Sequence, residues 1–159
     1  MRHRFVADRM LGKLSRKLRL LGIDTRYERY YSPAEVLKTA EMESLTLLTR
    51  HRELHAKALR RGVESFLLKS NDWRGQLKAV VMRFDIRSTD IKPFTRCADC
   101  NALLTRRSPD EVILLVPQYV LFTHNHFLQC PACGKVYWKG THPDRILQTF
   151  SGIIPLNGD

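Results

Sequence analysis

The sequence predicts an α/β fold: a parallel sheet with flanking helices, followed by a small metal-stapled module. Two observations predict it. In the first half, strand-like runs alternate with helical ones four times, the pattern of a parallel sheet with crossover helices. In the second half, the four cysteines of the chain form two C-x-x-C pairs.

The elements follow in order. Phe5-Val6-Ala7 is a short apolar run ending at Asp8, read as the first strand. Met10, Leu11, Leu14, Leu18 and Leu21 then share one face at helical spacing, with Arg9, Lys13 and Arg16 opposite. Leu20 does not fit that stripe, and Gly22 stops the helix. Residues 25–30 suggest a second strand. Ser32-Pro33 opens the next helix, with Ser32 as N-cap and Glu35 at capping-box spacing. Residues 45–49 form a third strand, 52–61 a helix ended by Gly62, and 63–68 a fourth strand. The helix over 72–84 turns Leu77, Val80, Val81 and Phe84 inward. Open parallel sheets build their sites beyond the carboxyl ends of strands. Here those ends are Asp8, Tyr31-Ser32, Thr49-Arg50-His51 and Ser70-Asn71-Asp72. The composition shifts over 86–93, read as a linker. Beyond it, residues 111–116 and 119–122 read as strands divided by Pro117, and the segment after about Ile146 carries little signal.

Composition narrows the function. Of 159 residues, 43% are hydrophobic and 27% charged, a globular balance. No apolar run approaches the roughly 20 residues that span a bilayer, so no membrane partner is expected. The basic start, Met1 to Arg9, lacks a signal-peptide core. A reducing, cytoplasmic setting is the expectation. The formal net charge is +11, with 17 Lys+Arg against 9 Asp+Glu over residues 1–75. Such an excess attracts polyanions, nucleic acid above all. Arg9, Lys13 and Arg16, with Arg50 and Arg52 beside the third strand, are the candidate RNA-binding residues.

Cys97, Cys100, Cys130 and Cys133 have the spacing of a closed zinc shell, each C-x-x-C turn aiming two thiolates at one ion. Gly134 supplies a permissive backbone after the second pair. The competing readings are two disulfides, a redox pair or unrelated buried thiols. A reducing compartment counts against the first, and the duplicated spacing against the others. Four thiolates saturate the ion, so this zinc is structural, and His124, His126 and His142 are left as ordinary polar or RNA-facing residues. Tyr137 and Trp138 either stack on bases or pack the ribbon's small core, the latter being favoured.

Asp8 is the most suggestive carboxylate and Asp72 the second. Phosphodiester cleavage by a metal nuclease needs carboxylates around Mg²⁺ or Mn²⁺. Either Asp could instead cap the helix that follows it.

The stretches 5–14 and 18–25, Leu47-Leu48-Thr49-Arg50, Arg96-Cys97 to Asn101, and 130–142 together resemble the Mut-seven C-terminal ribonuclease family. The likeness runs from about residue 3 to 145. It implies a PIN-like α/β domain over 1–90, a zinc ribbon over 91–146 and a tail over 147–159, with divalent-metal ribonuclease activity. The expected catalytic set is Asp8, which would hold Mg²⁺ or Mn²⁺, with Asp72 approaching from the end of the fourth strand, the Thr49 hydroxyl between them, and His51. The chain departs from the family twice. His51 stands where the family usually carries Asp, and Ser32-Pro33 where it tends to place another Asp; Glu35 lies one step further on. Imidazole in place of a carboxylate favours Mn²⁺ over Mg²⁺. The alternative function is a catalytically impaired PIN-like module that binds RNA in RNA processing or on the ribosome. A regulator-like protein-interaction domain fits the positive charge less well.

Overall fold

The computed structural model describes residues 3–138 and 148–154. Four strands, β1 (Arg4–Ala7), β2 (Asp24–Arg26), β3 (Thr46–Thr49) and β4 (Ser65–Leu67), make one parallel sheet in the order β2-β1-β3-β4. Four helices follow the strands in turn: α1 (Gly12–Leu20), α2 (Pro33–Glu43), α3 (Arg52–Arg60) and α4 (Trp73–Arg83). Alternation along each strand divides the core into two layers. Phe5, Ala7 and Leu48 pack with Leu14, Leu18, Leu77 and Val80 of α1 and α4. Val6 and Leu47 point the other way, to Val36, Leu37, Leu54 and Ala58 of α2 and α3. The sheet is thus covered on both faces, as its nearly continuous apolar strands require.

The local signals act as the sequence suggests. Ser32 accepts from the Glu35 amide while the Glu35 carboxylate accepts from the Ser32 amide, a complete capping box ahead of Pro33. Two expectations need correction in this half. The second strand is shorter than 25–30, because the chain turns away after Arg26 and Tyr27 instead donates its hydroxyl to the Arg9 carbonyl at 2.7 Å. Met10 is 57% exposed, since Arg9–Leu11 form a tighter 3₁₀ turn that rotates it off the buried stripe.

The second sheet is antiparallel, β5 (Thr105–Arg107), β6 (Phe127–Gln129) and β7 (Val136–Trp138). Between β5 and β6 the expected strands are absent. Ser108, Pro109 and Glu111 start a 3₁₀ turn, and Pro117 precedes a short helix, α5 (Gln118–Thr123). The buried positions there are Val112, Val116 and Val120, a spacing of four that belongs to helical turns and not to strands. They cover Phe127 of β6.

The two sheets are locked together by polar contacts. Arg19 of α1 is 4% exposed. Its guanidinium donates to the Thr25 carbonyl at 2.9 Å and to the Ala98 and Asp99 carbonyls at 3.1 and 3.0 Å. Asn101 donates to Asp24 at 2.7 Å and accepts from the Thr25 amide at 3.1 Å. The linker is also seated, the Lys92 amide donating to the Leu21 carbonyl at 2.9 Å. Gly22 lies beneath it with φ of 83°, where a Cβ would fall 2.2 Å from the Lys92 oxygen. Residues 148–154, in the part expected only as a tail, return to the first core. Phe150 and Ile154 are buried there, Phe150 edge-on to Trp73. Among the described residues no helix is long and apolar enough to cross a membrane.

Arg19→Met should destabilise the chain by about 2–4 kcal/mol, because three carbonyls, those of Thr25 and Ala98 in buried contacts, lose a charged donor. Urea unfolding measures the loss, and limited proteolysis should open the β5–β7 half first.

Candidate active site and metal centre

β1 and β3 are neighbours, and their register sets Ala7 opposite Leu48. The next residue on each strand therefore meets the other at the carboxyl end of the sheet. Asp8 is 1% exposed there, with its amide bonded to the Leu48 carbonyl at 2.9 Å. One carboxylate oxygen accepts from the Arg9 amide at 2.8 Å, capping the 3₁₀ turn into α1. The other accepts from the Thr49 hydroxyl at 3.0 Å. Thr49 is itself fixed, since its hydroxyl also accepts from the His51 amide at 3.0 Å. His51 Nε2 stands 3.6 Å from the same Asp8 oxygen, a charge-pair distance longer than a hydrogen bond. Three of the four expected catalytic residues, Asp8, Thr49 and His51, are thus brought together.

Asp72 is spent differently. It is exposed at the start of α4, where its carboxylate accepts from the Gly75 amide at 2.8 Å as an N-cap. Among the described residues it joins neither Asp8 nor His51 in a group of three metal-ligating side chains. Glu35 is likewise engaged, in the capping box of α2.

Next to Asp8, its neighbour Arg9 lines a cleft of about 420 Å³ together with Pro33, His51, Arg52, Glu53 and Lys57. Three of the lining residues are fixed cations against one carboxylate, Glu53, so the cleft suits an anionic chain. Two of the expected RNA-binding residues, Arg9 and Arg52, line it. Lys57 was not singled out in the sequence: it lies five residues beyond Arg52 on α3, about 140° around the helix, so periodicity does not pair the two. Arg50 instead donates to Asn71. Arg16 is paired with Asp99 of the first cysteine turn, and Lys13 is exposed on α1.

The four cysteine sulfurs all lie within 4.8 Å of one another. Cys97 and Cys133 Sγ are 3.8 Å apart. That is the edge of a tetrahedron with metal–sulfur bonds of about 2.3 Å, roughly 3.8 Å. The backbone shapes both turns. The Asn101 amide donates to the Cys97 carbonyl at 2.8 Å, and the Gly134 amide to the Cys130 carbonyl at 2.9 Å, with Gly134 at φ of 80°. Tyr137 holds the first turn in place, its hydroxyl 3.2 Å from both Cys97 Sγ and the Ala98 amide. Burial, then the hydrogen bond with Cys133 and the charges of the other thiols, pushes the Cys100 thiol up to about 12. The spacing of the four sulfurs means that the cluster could hold a structural metal ion. His124 bonds Thr123 and His126 is exposed, and neither joins the cluster. His142 lies outside the described residues.

A family model described as Mut7-C RNAse domain matches residues 3–150. The human protein named Exonuclease mut-7 homolog is 35% identical over 104 residues, which make up 62% of this chain and 12% of that protein. The chain therefore corresponds to a small part of that relative's length. No solved structure matches it. Because the family match runs through both the parallel sheet and the cysteine cluster, the chain belongs to the Mut7-C RNAse domain family.

Proposed function

We propose that this chain is a ribonuclease that holds RNA across the basic cleft and cleaves its phosphodiester bonds beside Asp8. The observation that carries the reading is the position of Asp8: a buried carboxylate at the carboxyl end of a central strand, whose neighbours Arg9 and His51 line a cleft together with Arg52, Glu53 and Lys57. Family membership supports the same chemistry. Arg9, Arg52 and Lys57 bind and orient phosphates, and Thr49 holds the Asp8 carboxylate in one rotamer.

The family resemblance implies Mn²⁺ or Mg²⁺ at Asp8. The described residues offer such an ion little. Both Asp8 oxygens already accept hydrogen bonds, the groups recorded beside them among the described residues are the Thr49 hydroxyl and the His51 imidazole, and Asp72 caps α4. Hard cations prefer several oxygen ligands, so the fit is poor and no catalytic step is routed through an ion here. The same observation favours the second reading, an RNA-binding module with impaired cleavage.

The cysteine cluster is read as a structural zinc site, because a closed tetrahedral thiolate shell suits zinc best. A reducing, cytoplasmic compartment would keep its four free thiols available.

Metal analysis of freshly purified protein should find one zinc per chain; a value well below one counts against the site. Cys130→Ser should unfold the β5–β7 half, because ribbon folding is coupled to metal binding. RNA affinity should fall steeply with salt, each phosphate contact contributing about 0.7 to the log–log slope for single strands. Removing Lys57 or Arg52 should lower that slope, and an affinity unmoved by salt would sink the cleft assignment. Labelled RNA incubated with Mn²⁺ or Mg²⁺ decides between the readings. Cleavage that is stronger in Mn²⁺, lost in Asp8→Asn and raised in Mg²⁺ by His51→Asp supports the nuclease. Binding without cleavage under every condition supports the impaired module, and equal cleavage by wild type and Asp8→Asn would place the chemistry elsewhere.

A further inference from the structure

The ribbon carries a second concavity, away from the Asp8 cleft. Its volume is about 200 Å³, below the roughly 300–1,000 Å³ of pockets for drug-sized ligands. It is lined by Phe94, Arg106, His126, Leu128, Tyr137 and Trp138 around the buried Phe127. Strand register explains part of this grouping. Arg106 lies opposite Leu128, and Leu128 opposite Tyr137, so the three form a row across the sheet. Alternation puts that row on the face opposite Phe127, the face that Val112, Val116 and Val120 leave uncovered.

Three features point to a ligand. First, the Tyr137 ring is immobilised, its hydroxyl held by Cys97 and the Ala98 amide, so it presents a fixed aromatic surface. Second, Phe94 sits at φ of 61°. The left-handed region is costly for a bulky side chain, and strain of that kind collects where a side chain must be aimed. Here it delivers a phenyl ring to the rim. Third, the lining includes Arg106 and His126 but no acid. Arg106 makes no ion pair among the described residues, whereas its neighbour Arg107 is bound by Glu111 and Gln129.

We propose that this pocket takes one unstacked base of single-stranded RNA, sandwiched against Phe94 and Tyr137, with Arg106 on the adjoining phosphate. A flat aromatic group fits the volume and the rings, and an anion beside it fits Arg106 and the net charge of +11. This inference rests on the reading of the chain as an RNA-acting domain and adds to it a second contact point, on the ribbon.

The test measures binding of a labelled eight-nucleotide RNA to the zinc-loaded full chain by fluorescence anisotropy. Phe94→Ala and Arg106→Ala are compared with wild type, circular dichroism checking that each variant is folded. Phe94→Ala should weaken binding about 5- to 100-fold, the range of one lost base stack. A second probe needs no variant: the same oligonucleotide with abasic positions should bind wild type weakly and should not be weakened further by Phe94→Ala. If wild type binds intact and abasic RNA equally, and Phe94→Ala keeps full affinity, the pocket is not a base site, while the reading of the Asp8 cleft stands. If neither oligonucleotide binds wild type at any salt concentration, both the pocket and the RNA reading fall.

Discussion

A single buried guanidinium joins the two halves of this chain. Arg19 reaches from α1 past the end of β2 and bonds the carbonyls of Ala98 and Asp99, the two residues between Cys97 and Cys100. A buried charge is costly unless it is fully bonded. Burial lowers the Arg19 pKa, and the thiols of Cys97 and Cys100 oppose that shift. The arginine is therefore held by the parts of the chain that position the sulfurs. Asp24 adds a second tie. Burial would raise its pKa, but the hydrogen bonds from Asn101 and Arg4 and the charge of Arg96 outweigh that and lower it. The cysteine cluster is thus an extension of the parallel sheet's own polar network, its first turn bonded to α1 and β2 through Arg19 and Asn101.

That docking explains why the linker region is not loose. Ile86 is buried, the Lys92 amide bonds the end of α1, and Gly22 has the only side chain small enough to pass beneath the Lys92 carbonyl. α1 therefore does two jobs along its length. Its first end is set by Asp8, which caps the turn leading into it, and its last turns carry Arg16 and Arg19 to the cysteine cluster. The candidate catalytic residue and the structural centre lie at opposite ends of one rigid element.

Much of this was legible in the sequence. Parallel strands show as apolar runs, and the helices between them show as leucines at a period of 3.6, so β1 through α4 could be read directly. The cysteine pairs are a local signal that needs no tertiary information. Asp8 was visible because it ends the first strand. Other features were hidden for physical reasons. Residues 111–116 and 119–122 are rich in branched and aromatic side chains, which mimics strands; only their burial at 112, 116 and 120 reveals turns and a helix. Arg19 looks like one more surface cation, and nothing near it in sequence shows that its partners are carbonyls some eighty residues away. Asp72 illustrates the reverse case. A carboxylate just ahead of a helix is as good a cap as a ligand, and here the Gly75 amide has it.

The two candidate centres differ in what they ask of an ion. In the second half, four cysteine sulfurs within 4.8 Å of each other offer a thiolate shell that could hold a cation. At Asp8 the pair is one carboxylate and one imidazole. The family resemblance puts a carboxylate where His51 stands. Two carboxylates at the 3.6 Å separating His51 from Asp8 would repel by about 4–5 kcal/mol at an effective dielectric near 20. Such repulsion is what a bound divalent ion relieves, and it is why acidic clusters bind metals so readily. An imidazole at that place adds no negative charge and, when protonated, offsets the one on Asp8. The amide of Arg9 and the hydroxyl of Thr49 then suffice to keep a single buried carboxylate stable. Relative to a second carboxylate, an imidazole at this place exerts a weaker electrostatic pull on a divalent ion.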